Sequence, residues 1–580
     1  MKRYFKYIAR VWYYFVFGPM LMILEACGEF ILPYISANII NVGAAGRDIA
    51  YILKNGLLMG VISLFMMIFG VVGANFGTRG AAQLAADIRL LTFKQIQKFS
   101  FSNIDTFSTG SLITRITNDI SQVQNFTQMF LRGLFRSPVM IVGAIFMSFK
   151  LEQRIGWIIF AILPLLAVII MVIMVISAPR YTAMQQQIDS LNTRVKETVT
   201  NQKVIKSFVR EDYEIERFFG VNQLLFEKST RALNMMILMQ PLSALIVNGA
   251  TLAVVWFAGG QIMIGTMEIG TLAALITYLT QVLTALNFLA NIILLGTRAA
   301  ASNRRIVEVL EAPVETEGDA ARKRDVEITE GSILFEGVGF RYYRQKNEKV
   351  LSGINLEIQS GELVGIIGSS GSGKSTLVSL IPRLYDVDEG RVYVDDMDVS
   401  ELSLKNLRDS IAMVLQKNTL FSGTIAENLR WGNEEASEEE LVHACKLAQA
   451  DSFIRAFEKG YETELEQGGA NLSGGQRQRL CIARALLKKP VIIILDDSTS
   501  AVDTATDASI RRALRKELPG VTKLIIAQRI NSIIDADKIV VMEEGRIVGI
   551  GQHQELMDGC EEYREIYFSQ KDGKEEQAGA

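Results

Sequence analysis

Leu363-Val364-Gly365-Ile366-Ile367-Gly368-Ser369-Ser370-Gly371-Ser372-Gly373-Lys374-Ser375-Thr376 is the stretch that decides how this chain folds. Its first five residues form a short apolar run, the pattern of a strand buried on both faces. The rest reads G-x-x-x-x-G-K-S-T, and Leu377-Val378-Ser379-Leu380-Ile381 continues as an apolar helical pattern. Strand, glycine-rich loop, helix is the context in which this motif holds phosphates. The glycines admit backbone N–H groups close to phosphate oxygens, and a helix N-terminus adds its positive end. In such a loop Lys374 reaches the β- and γ-phosphates of a nucleotide and Ser375 ligates Mg²⁺. The sequence therefore predicts a nucleotide cradle running from Gly368 to Thr376.

Toward the C-terminus a second apolar run, Val491-Ile492-Ile493-Ile494-Leu495, ends on Asp496. An acid at the carboxyl end of a buried strand, following a phosphate loop in chain order, is the expected second anchor for Mg²⁺. Toward the N-terminus the character changes. Beyond a polar linker at 312–330 lie long apolar stretches with few charges, near 13–41, 56–78, 130–148, 155–178, 238–264 and 270–296. Each approaches the roughly 20 apolar residues a helix needs to cross a bilayer. An apolar fraction of 49% with charge concentrated after the linker reads as a membrane half followed by a water-exposed half.

The net charge of −3 gives no reason to expect a nucleic-acid partner. The cysteines Cys27, Cys445, Cys481 and Cys560 lack metal-ligand spacing and read as reduced thiols. The basic start MKRYFKYIAR leads into apolar sequence without a small-residue cleavage site, so a retained first span is expected.

Spans two and three, and spans four and five, are joined by long polar connections near 79–129 and 179–237 that keep a helical periodicity. Basic residues at the N-terminus (Lys2, Arg3, Lys6, Arg10) and in these connections (Arg79, Arg89, Lys94, Lys98, Arg180, Lys196) place both on the cytosolic side. Within the first span, Glu25 and Glu29 share one helix face. Two readings stand open: a cation-attracting substrate surface, or a water-exposed or hydrogen-bonded structural position. The methionines of the spans (Met20, Met22, Met66, Met67, Met171, Met174, Met263) fit ordinary packing as well as an adaptable substrate surface.

Between the two strands lies Asn471-Leu472-Ser473-Gly474-Gly475-Gln476-Arg477-Gln478-Arg479. This LSGGQ stretch resembles the signature of ATP-binding cassette (ABC) proteins. Other positions resemble the same family in order. Tyr342 stands where the family stacks an aromatic ring on adenine, and Gln416 where a loop glutamine senses Mg²⁺ and the membrane domain. Ser500-Ala501-Val502-Asp503 stands where a loop communicates between two sites. The segments 107–119 and 207–218 are similar to the two intracellular coupling segments of ABC exporters.

The resemblance covers nearly the whole chain. It implies an α-helical membrane domain with six transmembrane helices at 1–311, fused through the 312–330 linker to an α/β P-loop ATP-binding cassette at 331–572, with a polar tail at 573–580. It implies ATP and Mg²⁺ as ligands, the latter on Ser375, Gln416 and Asp496. It further implies a second half-transporter chain in the lipid bilayer, a multi-pass position in a bacterial cytoplasmic membrane with cytosolic termini, and an exported substrate that the residues do not identify. In the family each ATP lies between one chain's phosphate loop and the other chain's signature, so Ser473, Gly474, Gly475 and Gln476 serve a site completed by the partner.

Two positions depart from the family pattern. Asp497 stands where most members carry the glutamate that polarises water, and Gln528, in Leu524-Ile525-Ile526-Ala527-Gln528-Arg529-Ile530, where they carry a switch histidine. The chain's two histidines, His443 and His553, match neither role. The segment before the signature, 463–469, also lacks the usual glutamate-rich exporter pattern. An intact signature beside a weakened base implies a non-identical partner that supplies Glu and His. A homodimer with two slow sites, and an ATP-gated channel or regulatory membrane ATPase, are the alternatives.

Overall fold

A backbone in hydrocarbon has no partner but itself, and the first part of the chain is helical accordingly. The computed structural model describes residues 4–314, 326–342, 348–498 and 502–578. Among the described residues six helical runs are long and apolar enough to cross a membrane: Trp12–Ala44, Ile49–Gln97, Thr109–Leu151, Gln153–Thr200, Pro241–Ile264 and Ile269–Glu311. The helix Ile49–Gln97 has 49 residues. At 1.5 Å per residue that is about 73 Å, against a hydrocarbon core of roughly 30 Å. Gln153–Thr200, with 48 residues, likewise outruns the bilayer. The long polar connections are therefore helical extensions of the spans, as their periodicity predicts.

The chain divides into two units, one of Met1–Gln97 and Thr109–Ala312, the other of Lys98–Ser108 and Pro313–Ala580. The first unit's core gathers Ile155, Ile159, Leu166, Val254, Leu275 and the fully buried Tyr278. Tyr278 spends its hydroxyl on the Phe30 carbonyl at 2.8 Å, so this large ring is buried without an unpaired donor. Where the first two spans meet, a Cβ on Gly73 would lie 2.8 Å from Met22 and 3.1 Å from Leu21. A small residue there lets the helices approach closely.

The second unit is built on two sheets. An antiparallel one contains β1 (Ile333–Phe340), β2 (Leu351–Ile358), β4 (Glu389–Val394) and β5 (Met397–Asp398), in the order β2-β1-β4-β5. The other has the order β12-β11-β3-β10-β9-β6, where β3 is Leu363–Gly368, β6 Ile411–Val414, β9 Ile492–Asp496, β10 Thr522–Ile526, β11 Lys538–Glu543 and β12 Arg546–Gly551. All its pairings are parallel except the edge pair β11–β12. A small pair, β7 (Gly423–Thr424) and β8 (Glu464–Leu465), completes the unit. Every residue of β9 and of β10 is buried, as continuous Ile/Leu runs in a two-sided sheet require. Because β3, β9 and β10 run side by side in one direction, their carboxyl ends at Gly368, Asp496 and Ile526 open at one edge of the sheet.

Candidate functional site

The phosphate loop leaves β3 at Gly368, whose φ is +154°, and enters the helix Lys374–Leu380 through Gly373 at φ +94°. A Cβ on Gly368 would lie 2.0 Å from the Met542 carbonyl oxygen, so only glycine fits this turn. The Lys374 ammonium folds back on the loop, donating to the Gly368 carbonyl at 2.9 Å, the Ser369 carbonyl at 2.6 Å and Ser372 Oγ at 3.2 Å. Ser375 Oγ donates to Asp496 Oδ1 at 2.9 Å. Ser375, on the first turn of the helix, and Asp496, at the end of β9, offer hard oxygen donors, a set that suits Mg²⁺.

Burial pushes the Lys374 ammonium below its ordinary value, against the opposing pull of Asp496 and Asp497. Burial pushes the Asp496 carboxyl up, while the Ser375 hydrogen bond and Lys374 pull it down and Asp497 adds to the rise. A partly buried site with one cation and two acids strengthens the contact of these groups with any charge brought to it.

Asp497 follows directly, with φ +48°, a left-handed conformation that Asp tolerates better than most residues. Its N–H donates to the Ile526 carbonyl at 3.1 Å, which turns the carboxylate toward the end of β10. There Gln528 Nε2 donates to Asp497 Oδ2 at 2.7 Å. The amide thus occupies one oxygen of the carboxylate.

Tyr342 is 39% exposed, with its hydroxyl sharing a 2.8 Å hydrogen bond with Thr376 Oγ1, and burial of its remainder raises its pKa. Its ring packs edge-on against Tyr385, with centroids 5.2 Å apart. Tyr385 in turn donates to Asp105 Oδ2 at 2.8 Å and packs on Phe101, both in the short helix Phe101–Thr106 that belongs to the same unit. Gln416 stands just past β6.

A cavity of about 620 Å³ is lined by Tyr342, the loop Gly368–Gly371, Gly373–Thr376, Gln416, Asp496, Asp497 and Gln528. Ser372 of the quoted loop faces away and is buried. Ser473, Gly474, Gly475 and Gln476 do not line it. They open the helix Gly474–Leu487, where Ser473 Oγ accepts from the Gln476 N–H at 3.3 Å and Gln476 Oε1 accepts from the Ser473 N–H at 2.9 Å. This reciprocal cap fixes the helix start and leaves Ser473 exposed.

Of the loop quoted as Ser500–Asp503, Ser500 and Ala501 lie outside the described residues, as do Lys2, Arg3 and Tyr343. Most of the 312–330 linker, the side chain of Met174 and the tail side chains lie outside them too. Asp503 caps the helix Thr504–Glu517, accepting from the Thr506 N–H at 2.9 Å. Neither histidine lines the cavity: His443 is exposed on the helix Glu438–Leu447, and His553 Nδ1 shares a 2.8 Å hydrogen bond with Tyr563.

Motif reading missed Val350, just before β2, and the lining residues Ile566, Ser569 and Gln570. The last three sit on the last helix, Glu561–Ala578, which has no motif. The apolar positions Tyr563, Ile566 and Tyr567 are the one signal that this helix packs on the unit.

In the membrane unit, Arg136 Nη2 donates to Glu29 Oε1 at 2.5 Å, and its Nε lies 3.4 Å from Glu25 Oε2. This contact fits the hydrogen-bonded structural reading of these acids. Two carboxylates share one guanidinium.

Comparison with known proteins agrees with this architecture. Residues 15–286 match the family model of the ABC transporter transmembrane region, and residues 351–500 that described as ABC transporter. The chain is 37% identical over 552 residues to an uncharacterized ABC transporter ATP-binding protein, YfiB, of Bacillus subtilis (strain 168), covering 95% of each. It is 32% identical over 582 residues to a putative multidrug export ATP-binding/permease protein, YgaD, of the same organism, covering 98% of this chain and 99% of that one. Its fold is similar to that of a bacterial Atm1-family ABC exporter with ATP bound, with a TM-score of 0.82, 24% identity, and 96% and 99% of the two chains covered.

Proposed function

This chain belongs to the ABC transporter family of ATP-hydrolysing exporters, and we propose that it is the weaker-site subunit of a heterodimeric exporter. On this reading it moves a small or amphipathic substrate across a bacterial cytoplasmic membrane, with its termini and cassette in the cytosol. The observation that carries the reading is the contrast at the cavity edge. The oxygen pair Ser375–Asp496 and the cap of the signature helix are complete, whereas the hydrolytic position holds Asp497 with the Gln528 amide on it.

Tyr342 stacks on the adenine, and the Gly368–Thr376 backbone with Lys374 Nζ takes the phosphates in place of the loop carbonyls it now holds. Ser375, Asp496 and Gln416 would hold Mg²⁺, which would offset phosphate charge. Asp497 is the base. Its carboxylate falls about one carbon–carbon bond, ~1.5 Å, short of a glutamate's. Misplacement by about 1 Å can cost about 100-fold in rate. Gln528 can donate to the γ-phosphate region yet cannot take up a proton. ATP therefore binds here and turns over slowly. Ser473, Gly474, Gly475 and Gln476 complete the partner's site, where a Glu and a His do the faster chemistry. Coupling to transport requires only that ATP favour the closed cassette pair over the open one.

The test is reconstitution with the product of an adjacent gene. Asp497→Asn leaves most of the complex's ATPase, and neutralising the partner's Glu abolishes it. Loss of nearly all turnover in Asp497→Asn would instead assign a homodimer with two slow sites.

A further inference from the structure

We propose that Gln570, on the last helix, is a positioning residue that sets the switch-loop side of the ATP site. In the helix Glu561–Ala578, Tyr563 is fully buried and Ile566 and Tyr567 pack on the same core. The spacing 563, 566, 567, 570 is one helical face, so the stripe that docks the helix ends on a half-buried glutamine rather than an apolar residue. That glutamine meets the loop after β10 with both ends of its amide. Its Nε2 donates to the Gln528 carbonyl at 2.7 Å, and its Oε1 accepts from the Ile530 N–H at 3.0 Å.

The loop itself bears the Gln528 side chain that donates to Asp497 Oδ2. Its other side is tied to the sheet, where the Ala527 N–H donates to the Ile366 carbonyl at 3.1 Å. Residues 527 to 530 are thus held between the central sheet and the last helix. The Gln528 amide is aimed at Asp497 because its backbone is pinned from behind. Gln570, Gln528 and Asp497 form a row from the last helix to the hydrolytic position, and all three line the 620 Å³ cavity. A side-chain amide suits this position because it offers a donor and an acceptor in a fixed plane, as a neighbouring strand would. The clasp acts at this chain's own phosphate loop, whichever subunit faces it.

The experiment compares wild type with Gln570→Met and Gln570→Ala in the full chain in lipid nanodiscs. Methionine keeps the length and packing of glutamine and removes both hydrogen bonds. Hydrogen exchange at the Ile530 amide is expected to speed up about tenfold in both variants, the equivalent of one lost net hydrogen bond. The strand Thr522–Ile526 keeps its protection. Hydrolysis of bound ATP in a single turnover slows several-fold, while ATP affinity, set by the phosphate loop, stays within about twofold. A purely packing role would be rescued by methionine. Unchanged exchange at Ile530 in Gln570→Met, or a fall in affinity that matches the fall in rate, overturns the assignment.

Discussion

The two edges of the nucleotide cavity are built from neighbouring strands but to different standards. At the phosphate-loop edge, Lys374 makes three hydrogen bonds and Ser375 pairs with Asp496. At the switch edge, a short acid in a left-handed conformation is covered by an amide that is itself held by a third side chain. Gripping a nucleotide asks for donors and a cation at fixed places, and strand ends supply them. Cleaving it asks in addition for a base of the right reach. On the proposed reading the two demands separate here by one residue, between Asp496 and Asp497.

The contrast between the edges breaks first if the grip does not depend on Lys374. Lys374→Ala removes the half-buried ammonium of the phosphate loop, and ATP affinity measured by equilibrium binding is expected to fall about 1,000-fold, the scale of two charge-assisted hydrogen bonds. Next is a gain rather than a loss. Asp497→Glu combined with Gln528→His restores reach and a titratable switch, and single-turnover hydrolysis should rise several tens-fold, within the roughly 100-fold that misplacement costs. Asp497→Glu alone should gain less, because Gln528 still cannot take up a proton. No gain in the double variant would mean that the switch edge is not what limits this site.

A third effect is smaller and follows pH. Burial raises the Asp496 pKa, so this acid takes up a proton at a higher pH than an ordinary carboxylate. The protonated form is a poor Mg²⁺ ligand. Mg²⁺-dependent ATP binding should therefore weaken on acidification at a higher pH than an ordinary carboxylate ligand would allow, and Asp496→Asn should bind weakly throughout, with no such slope. Smallest is a stability change at the signature. Ser473→Ala removes one half of the cap on Gly474–Leu487 and should cost about 1 kcal/mol, read as a melting shift of a few degrees.

Much of the site is legible in the sequence because its parts are local. The phosphate loop is a continuous segment whose glycines, lysine and serine have fixed offsets, and the Leu363 and Val491 runs announce strands by composition alone. The six spans are legible for the same reason: crossing a bilayer demands length and apolarity, both countable. Asp497 and Gln528 stand out as departures, but 31 residues separate the partners of their hydrogen bond, and no spacing rule links them. Gln570 lies 42 residues beyond Gln528 in a helix whose only visible feature is an apolar stripe. Arg136 carries no mark that joins it to Glu25 and Glu29, 107 residues from the latter.

The sequence by itself determined the architecture and the phosphate cradle, because each depends on neighbours within about a dozen residues, and resemblance to the family marked Asp497 and Gln528 as departures from its pattern. Only the tertiary structure decided what those positions touch. Parallel pairing of β9 with β10 sets Asp496 and Asp497 beside the loop that carries Gln528, and docking of the last helix brings Gln570 behind it. Such contacts form when buried strands and an apolar helix face close over one core, and no local propensity encodes which polar side chains that closure brings together.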